Sequence, residues 1–348
     1  MSNGSHRRKR SGKRYKVRYD RLLAALLVLV VLIVILTSCV KSCSKSKSSS
    51  DESDNTTTTS NPTAQSSIVD NLDTSKKQSD TILSSSLDTL RPDASQFVTE
   101  PHARVDVNSG NLVLVNSNNP YTFQSGDTEL KTLYDNRTNE YYNVSDYVIK
   151  LDKECLSNLD AWMLGFYQAQ KSSEITIIGG FRTLEEQNDK YNGGYSGFKG
   201  GCSDYHTGRT FDMGIFPKDG SSSGYYMPTG IYSWLDENAA EYGFIVRFPE
   251  GKESITGEKA RTQTYRYVGK PHAAYIKQNG LCLEEYIEQL KSYTNTAPLE
   301  ITVGQNFYQV YYVAAAPSGN TDVPVPQNKV YTVSGNNSDG FIVTVSLN

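Results

Sequence analysis

The sequence predicts an α+β fold: a small antiparallel sheet with flanking helices, preceded by a membrane anchor and a linker and followed by a β extension. Three observations predict it. Residues 22–40 form an uncharged apolar run, residues 42–95 contain 24 Ser or Thr among 54 positions, and helical and strand-like patterns alternate only after residue 100. Past Pro298 the apolar residues alternate with polar ones, which marks strands. The expected organisation is a basic head at 1–21, an anchor at 22–40, a disordered linker at 41–100, a core domain at 101–297 and a β module at 298–348.

The head holds nine Lys or Arg and one Asp, so the remaining 26 basic and 37 acidic residues leave a net charge of −11. A main domain of that charge is a poor phosphate binder, which excludes nucleic acid as a partner. The 19 residues of the apolar run span about 28 Å as a helix, close to the hydrocarbon core of a bilayer. Basic residues before it place the N-terminus in the cytoplasm and the main domain outside, as a single-pass protein of the cell membrane. Leu36-Thr37-Ser38-Cys39 also fits a lipoprotein signal with a lipidated Cys39. Both readings hold an exported domain at the membrane. Residues 41 to about 98 have too few large apolar side chains to offset chain entropy. As a coil they reach roughly 40 Å.

Within the core, Asn111–Val115 reads as a strand. Leu156, Leu159, Trp162, Met163, Phe166 and Tyr167 recur at helical spacing. Ile175–Ile178 reads as a buried strand ending at Gly179-Gly180, and 183–191 as a helix. A helix over 234–242 stops at Gly243. Phe244–Phe248 and 265–268 read as strands, and Pro271 opens the first of two further helices, the second at Leu283–Leu290. Leu299, Ile301 and Val303, then Tyr308, Val310 and Tyr312, then Phe341, Val343 and Val345 carry the terminal alternation. Cys155, Cys202 and Cys282 form no C-x-x-C pair, so neither a zinc ribbon nor a thioredoxin-type motif is present.

Three blocks carry chemistry. They are Gly180-Phe181-Arg182-Thr183 with Glu185, Glu186 and Gln187; Ser203-Asp204-Tyr205-His206-Thr207-Gly208 ending in Asp212; and Trp234 to Lys252 followed by Tyr265-Arg266-Tyr267-Val268-Gly269. In order and spacing they resemble the VanY-type D-alanyl-D-alanine carboxypeptidases, zinc peptidases that trim peptidoglycan stem peptides and share a superfamily with hedgehog-type domains. The resemblance covers about residues 110–292.

It implies a zinc ion held by two His and one Asp, with an open position for water and a Glu as general base. Laid on the family pattern, Ser203, Gly208 and Asp212 fall into register. Tyr205 and Thr264 stand at the former His positions, and Arg261 at that of the general base, so Asp212 alone is retained. His206 is the nearest substitute ligand, one place out of register, and a site of the Tyr205 phenolate, His206 and Asp212 is conceivable. His272 and the cytoplasmic His6 and linker His102 complete the histidines. The resemblance gives Arg182, Ser203 and Gln187 to the substrate, Arg182 because a guanidinium forks onto a carboxylate.

Three functions are expected to compete. One is a membrane-anchored cell-wall protein that binds stem peptides with lost or impaired zinc hydrolysis, needing no cofactor. Another is an active D,D-carboxypeptidase that uses zinc. The third is a non-enzymatic envelope interaction protein. An Asp212–Arg261 ion pair bordered by Tyr205 and Thr264 is expected to fill the ancestral metal position.

Overall fold

The apolar stripe that begins at Leu156 folds as a helix because Asp152 caps it, its carboxylate accepting from the Glu154 and Cys155 amides. The structure is a computed structural model that describes residues 89–123 and 128–348. The expected anchor at 22–40 and most of the linker lie outside these residues, and no described helix is long and apolar enough to cross a membrane.

In chain order the elements are β1 (Phe97–Ala103), β2 (Leu130–Thr132), α1 (Leu133–Asn136), β3 (Asn143–Val144), β4 (Lys150–Asp152), α2 (Lys153–Gln170), β5 (Ile175–Gly179) and α3 (Leu184–Asn192). Then follow β6 (Thr210–Ile215), β7 (Gly224–Tyr225), α4 (Ser233–Asn238), β8 (Phe244–Phe248), α5 (Glu253–Thr256), β9 (Arg261–Tyr267), α6 (Lys270–Asn279) and α7 (Leu283–Leu290). The chain ends in β10 (Leu299–Val303), β11 (Asn306–Ala314), β12 (Asn320–Pro326), β13 (Val330–Gly335) and β14 (Gly340–Ser346).

The central sheet runs β3-β5-β6-β9-β8, with β7 on β6. Only its β3–β5 pair is parallel. α2 lays Leu159, Trp162, Met163 and Phe166 against Ile177, Phe211, Met213 and Phe244, all fully buried or nearly so. Trp162 stacks on Phe244 with centroids 5.0 Å apart. Each such side chain contributes roughly 1.5–3 kcal/mol on leaving water. α4 ends at Asn238 and a short 3-10 turn continues to Tyr242, where Gly243 at φ 87° stops it. The expected 234–242 helix is therefore present as two segments. Pro271 lies in the first turn of α6, where a missing N–H is harmless.

A second core joins Ile245, Val268, Ile276, Leu283 and Ile287 to Leu299, Ile301, Val310 and Ile342. The terminal strands thus share a core with the helices. Their sheet runs β10-β11-β14-β13, while β12 pairs with β1 over seven residues. The sequence carries no clear strand signal for β12 and β13, because Pro324, Pro326 and the polar residues after them hide the alternation. β1 starts at Phe97, within the stretch assigned to the linker. Its own composition is unremarkable, and the β12 edge supplies the backbone bonds that order it.

The expected strand over 111–115 is not a strand, although its residues 112–115 are buried. Side chains satisfy its backbone instead: Arg266 donates to the Asn111 and Val113 carbonyls, and Ser334 accepts from the Leu112 amide. An apolar run looks the same in a sheet as in a buried extended segment bonded by side chains.

Candidate functional site

Gly179, Asp212 and Thr264 are cross-strand neighbours on β5, β6 and β9, so Asp212 is flanked on both sides by the sheet register. Tyr205 comes from a 3-10 turn over Asp204–Thr207 that Gly208 closes at φ 68°. One carboxylate oxygen of Asp212, Oδ1, accepts from the Tyr205 hydroxyl at 2.7 Å and from the Thr264 hydroxyl at 2.6 Å. The other, Oδ2, lies 3.9 Å from Nη2 of Arg182. Arg182 also lays its guanidinium 3.8 Å over the Tyr205 ring, a cation–π contact.

The expected Asp212–Arg261 pair is not formed. Arg182 supplies the cation, and Arg261 pairs with Glu258 at 3.3 Å and leans on the Phe248 ring. The i,i+3 spacing puts Glu258 within easy reach of Arg261, whereas Arg182 follows directly on the strand beside Asp212. Arg261 still borders the site. Burial weakens its charge, but the Tyr205 oxygen, Glu258 and Asp212 together outweigh burial and strengthen its hold on the proton.

Gln187 does not line the cleft. It is fully buried, accepts from Arg182 Nη1 at 3.1 Å and donates to Ser196 Oγ and the Phe198 carbonyl. It therefore positions Arg182 and anchors the 193–200 loop. Ser203 is fully buried too, and its hydroxyl finds no hydrogen-bond partner among the described residues. His206 points away from Asp212. Its Nε2 accepts from the Gly201 amide at 3.0 Å, so Nδ1 carries the proton and donates to the Arg182 carbonyl at 2.7 Å. Both nitrogens are committed, and burial holds the ring below the usual imidazole range, hence neutral. His272 is likewise enclosed, against Tyr286 and Thr344.

Beneath the site lies a buried ion network. Arg247 forks onto Glu284 and approaches Asp204 Oδ1 at 3.3 Å, while Arg266 reaches that oxygen at 2.7 Å. Burial pushes the Asp204 carboxyl up, yet the Arg266 and Arg247 guanidiniums outweigh it and hold it below the usual range. The network anchors the turn that carries Tyr205. Its signal in the sequence was the charged Arg247 and Arg266 inside otherwise apolar strands.

Residues 149–270 match the family described as VanY: D-alanyl-D-alanine carboxypeptidase. A D-alanyl-D-alanine carboxypeptidase of Enterococcus faecium is 33% identical over 243 residues, covering 69% of this chain and 76% of that protein. The chain belongs to the VanY D-alanyl-D-alanine carboxypeptidase family. The crystal structure of the vancomycin resistance D,D-dipeptidase VanXYg, in complex with a D-Ala-D-Ala phosphinate analog, superposes with a TM-score of 0.62. It is 28% identical, and the match covers 72% of this chain and 99% of that one. A VanY D,D-pentapeptidase mutant solved in complex with Zn(II) is 29% identical over 51% of this chain and 98% of its own, with a TM-score of 0.39.

The residues present do not fit the family's zinc ion. Zinc needs lone pairs from deprotonated donors, whereas Tyr205 and Thr264 aim O–H donors at the one carboxylate that remains. Burial, with the Asp212 charge beside it, pushes the Tyr205 phenol far above its ordinary value, so it stays protonated and does not serve as a phenolate ligand. Among the described residues no group of three or more His, Cys, Asp or Glu converges to hold a metal.

Proposed function

We propose that this VanY-family chain holds peptidoglycan stem peptides in its cleft without hydrolysing them, as a cell-wall protein tethered outside the membrane through residues 22–40. One observation carries the reading. Asp212 Oδ1 accepts hydrogen bonds from Tyr205 and Thr264, where a catalytic site would offer lone pairs to a metal. Arg261, a guanidinium that takes no proton from water, stands where the general base would be.

The binding side has more support. Arg182 remains 15% exposed, and Gln187 and the Tyr205 ring hold it in place. A guanidinium fixed in this way meets a peptide carboxylate with little entropy left to lose. Calorimetry with a D-Ala-D-Ala-ended pentapeptide tests this. Wild type should bind saturably, and Arg182→Ala should weaken binding by about 2–5 kcal/mol. Absence of binding at millimolar peptide would remove the reading. The 33% identity to a carboxypeptidase favours a second reading, an active D,D-carboxypeptidase. Release of D-alanine from the same peptide, abolished by chelator, would establish it.

A further inference from the structure

The face that the C-terminal sheet turns toward α6 and α7 changes character across its strands. On β10 and β11 it is apolar, with Leu299, Ile301 and Val310 buried in the second core. Toward the edge it becomes a field of hydroxyls. Val310 is level with Thr344 and Thr332, and Tyr308 with Ser346 and Val330. Helix-facing sheet surfaces are normally apolar, because an unmatched buried hydroxyl costs free energy. Here Tyr308, Thr332, Thr344 and Ser346 line a cleft of about 560 Å3, within the ~300–1,000 Å3 of small-molecule sites.

The opposite wall is polar and already internally bonded. Tyr267 donates to Glu154 at 2.8 Å, Asn158 donates to the Tyr267 oxygen at 3.1 Å, and Asn111 donates to the second Glu154 oxygen. Arg209 pairs with Asp152 at 3.4 Å. With these charges met inside the protein and Lys270 exposed to water at the cleft's edge, the cleft suits a hydrogen-bonding ligand without net charge.

The rim adds a second, independent feature. β13 is an edge strand. Its Gly335 amide donates outward to the Ser109 carbonyl at 2.8 Å. Alternation along the strand therefore turns the N–H and C=O of Tyr331 and Val333 to that same open side. Both residues line the cleft, and among the described residues no backbone group of the loops bonds to them.

From these features we infer that the cleft binds an oligosaccharide of N-acetylated hexosamines. The ring hydroxyls answer Thr332 and the hydrogen-bonding capacity left on Thr344 and Ser346, whose hydroxyls also bond His272 Nε2 at 3.0 Å and the Asn348 carbonyl at 2.7 Å. The acetamido N–H and C=O answer the open backbone of Tyr331 and Val333 as a neighbouring strand would, and the C–H face of a pyranose answers the Tyr308 ring. An extended peptide would use the strand edge and leave the exposed Thr332 hydroxyl without a ligand partner. The inference rests on the cell-wall reading only for the source of the sugar. The cleft is built by residues other than those around Asp212.

The test is calorimetry on the full-length chain with the β-1,4-linked tetramer of N-acetylglucosamine. Saturable binding is expected, at least tenfold weaker for the glucosamine tetramer that lacks acetyl groups. The variant Thr332→Val should lose at least tenfold in affinity with an unchanged melting temperature. If that variant melts early, Val330→Arg, at a 77% exposed rim position, must produce the same loss. Arg182→Ala should leave sugar binding intact, so failure of the peptide reading would not mimic failure here. No saturation at millimolar tetramer, equal binding by the rim variant, or preference for an extended peptide in this cleft would overturn the inference.

Discussion

Asp212 shows how a family site changes character while its geometry is kept. A carboxylate half hidden from water needs donors or a cation, and this one has the Tyr205 and Thr264 hydroxyls and a loose Arg182 pair. Tyr205→Phe and Thr264→Val should each destabilise the protein by about 1–3 kcal/mol, since each strips a donor from a charged acceptor. Arg261→Ala should change stability by less than about 1 kcal/mol, because its partner is a neighbouring Glu258 and its side chain is 27% exposed. Urea denaturation of the three variants checks the order; a larger loss for Arg261→Ala would return that residue to the centre of the site. At this scale the sequence made Tyr205, Thr264 and Asp212 legible, because each falls at a fixed place in a motif. The identity of the cation was not legible. Arg182 and Arg261 are 79 positions apart, and only the strand order decides which of them meets Asp212.

Among the elements, the turn from β5 into α3 sets the position of Arg182. A Cβ on Gly180 would stand 2.7 Å from the Lys150 carbonyl, a backbone atom held by the Phe181 amide. Gly180→Ala therefore must shift the turn, at a cost of about 1–3 kcal/mol. The peptide affinity should fall with it, because the arginine moves. Calorimetry and a melting curve on the same sample check both effects, and unchanged affinity would argue that Arg182 is not the anchor. Local signals for this element were strong: Thr183 and Glu186 form a capping box, and the α3 start was readable from it. Asn111–Val115 and β12 were misread or unread for the opposite reason. Their backbone partners come from Arg266, Ser334 and β1, far away in the chain.

For the whole molecule, buried ionisable groups set the pH response. Burial lowers His272 to about 3, from an ordinary value of about 6.5. The unfolded chain therefore takes up the proton first, and stability falls as pH drops from about 6.5 toward 3. One proton corresponds to about 1.4 kcal/mol per pH unit. Asp204, held low by Arg266 and Arg247, works in the same direction at lower pH. Its stabilisation is present above the unfolded carboxylate value of about 3.9 and is lost as pH falls through the folded one. Denaturation at pH 7, 5.5 and 4.5 should show the first slope, and His272→Asn should flatten it. A wild-type protein equally stable at pH 7 and 4.5 would contradict this. The Asp204 network had a signal in the sequence, the charged Arg247 and Arg266 inside apolar strands, whereas the depth of His272 burial had none, since it arises where α6 meets the terminal sheet.

On the proposed reading, hydrogen-bond donors rather than a metal satisfy the family's remaining ligand carboxylate. Zinc content measured by elemental analysis tests it most directly, on purified protein dialysed against metal-free buffer after exposure to excess zinc. Wild type is expected to retain far less than one zinc per chain, and the triple variant Tyr205→His, Arg261→Glu and Thr264→His to show a clear gain. A stoichiometric zinc ion retained by wild type would contradict the reading.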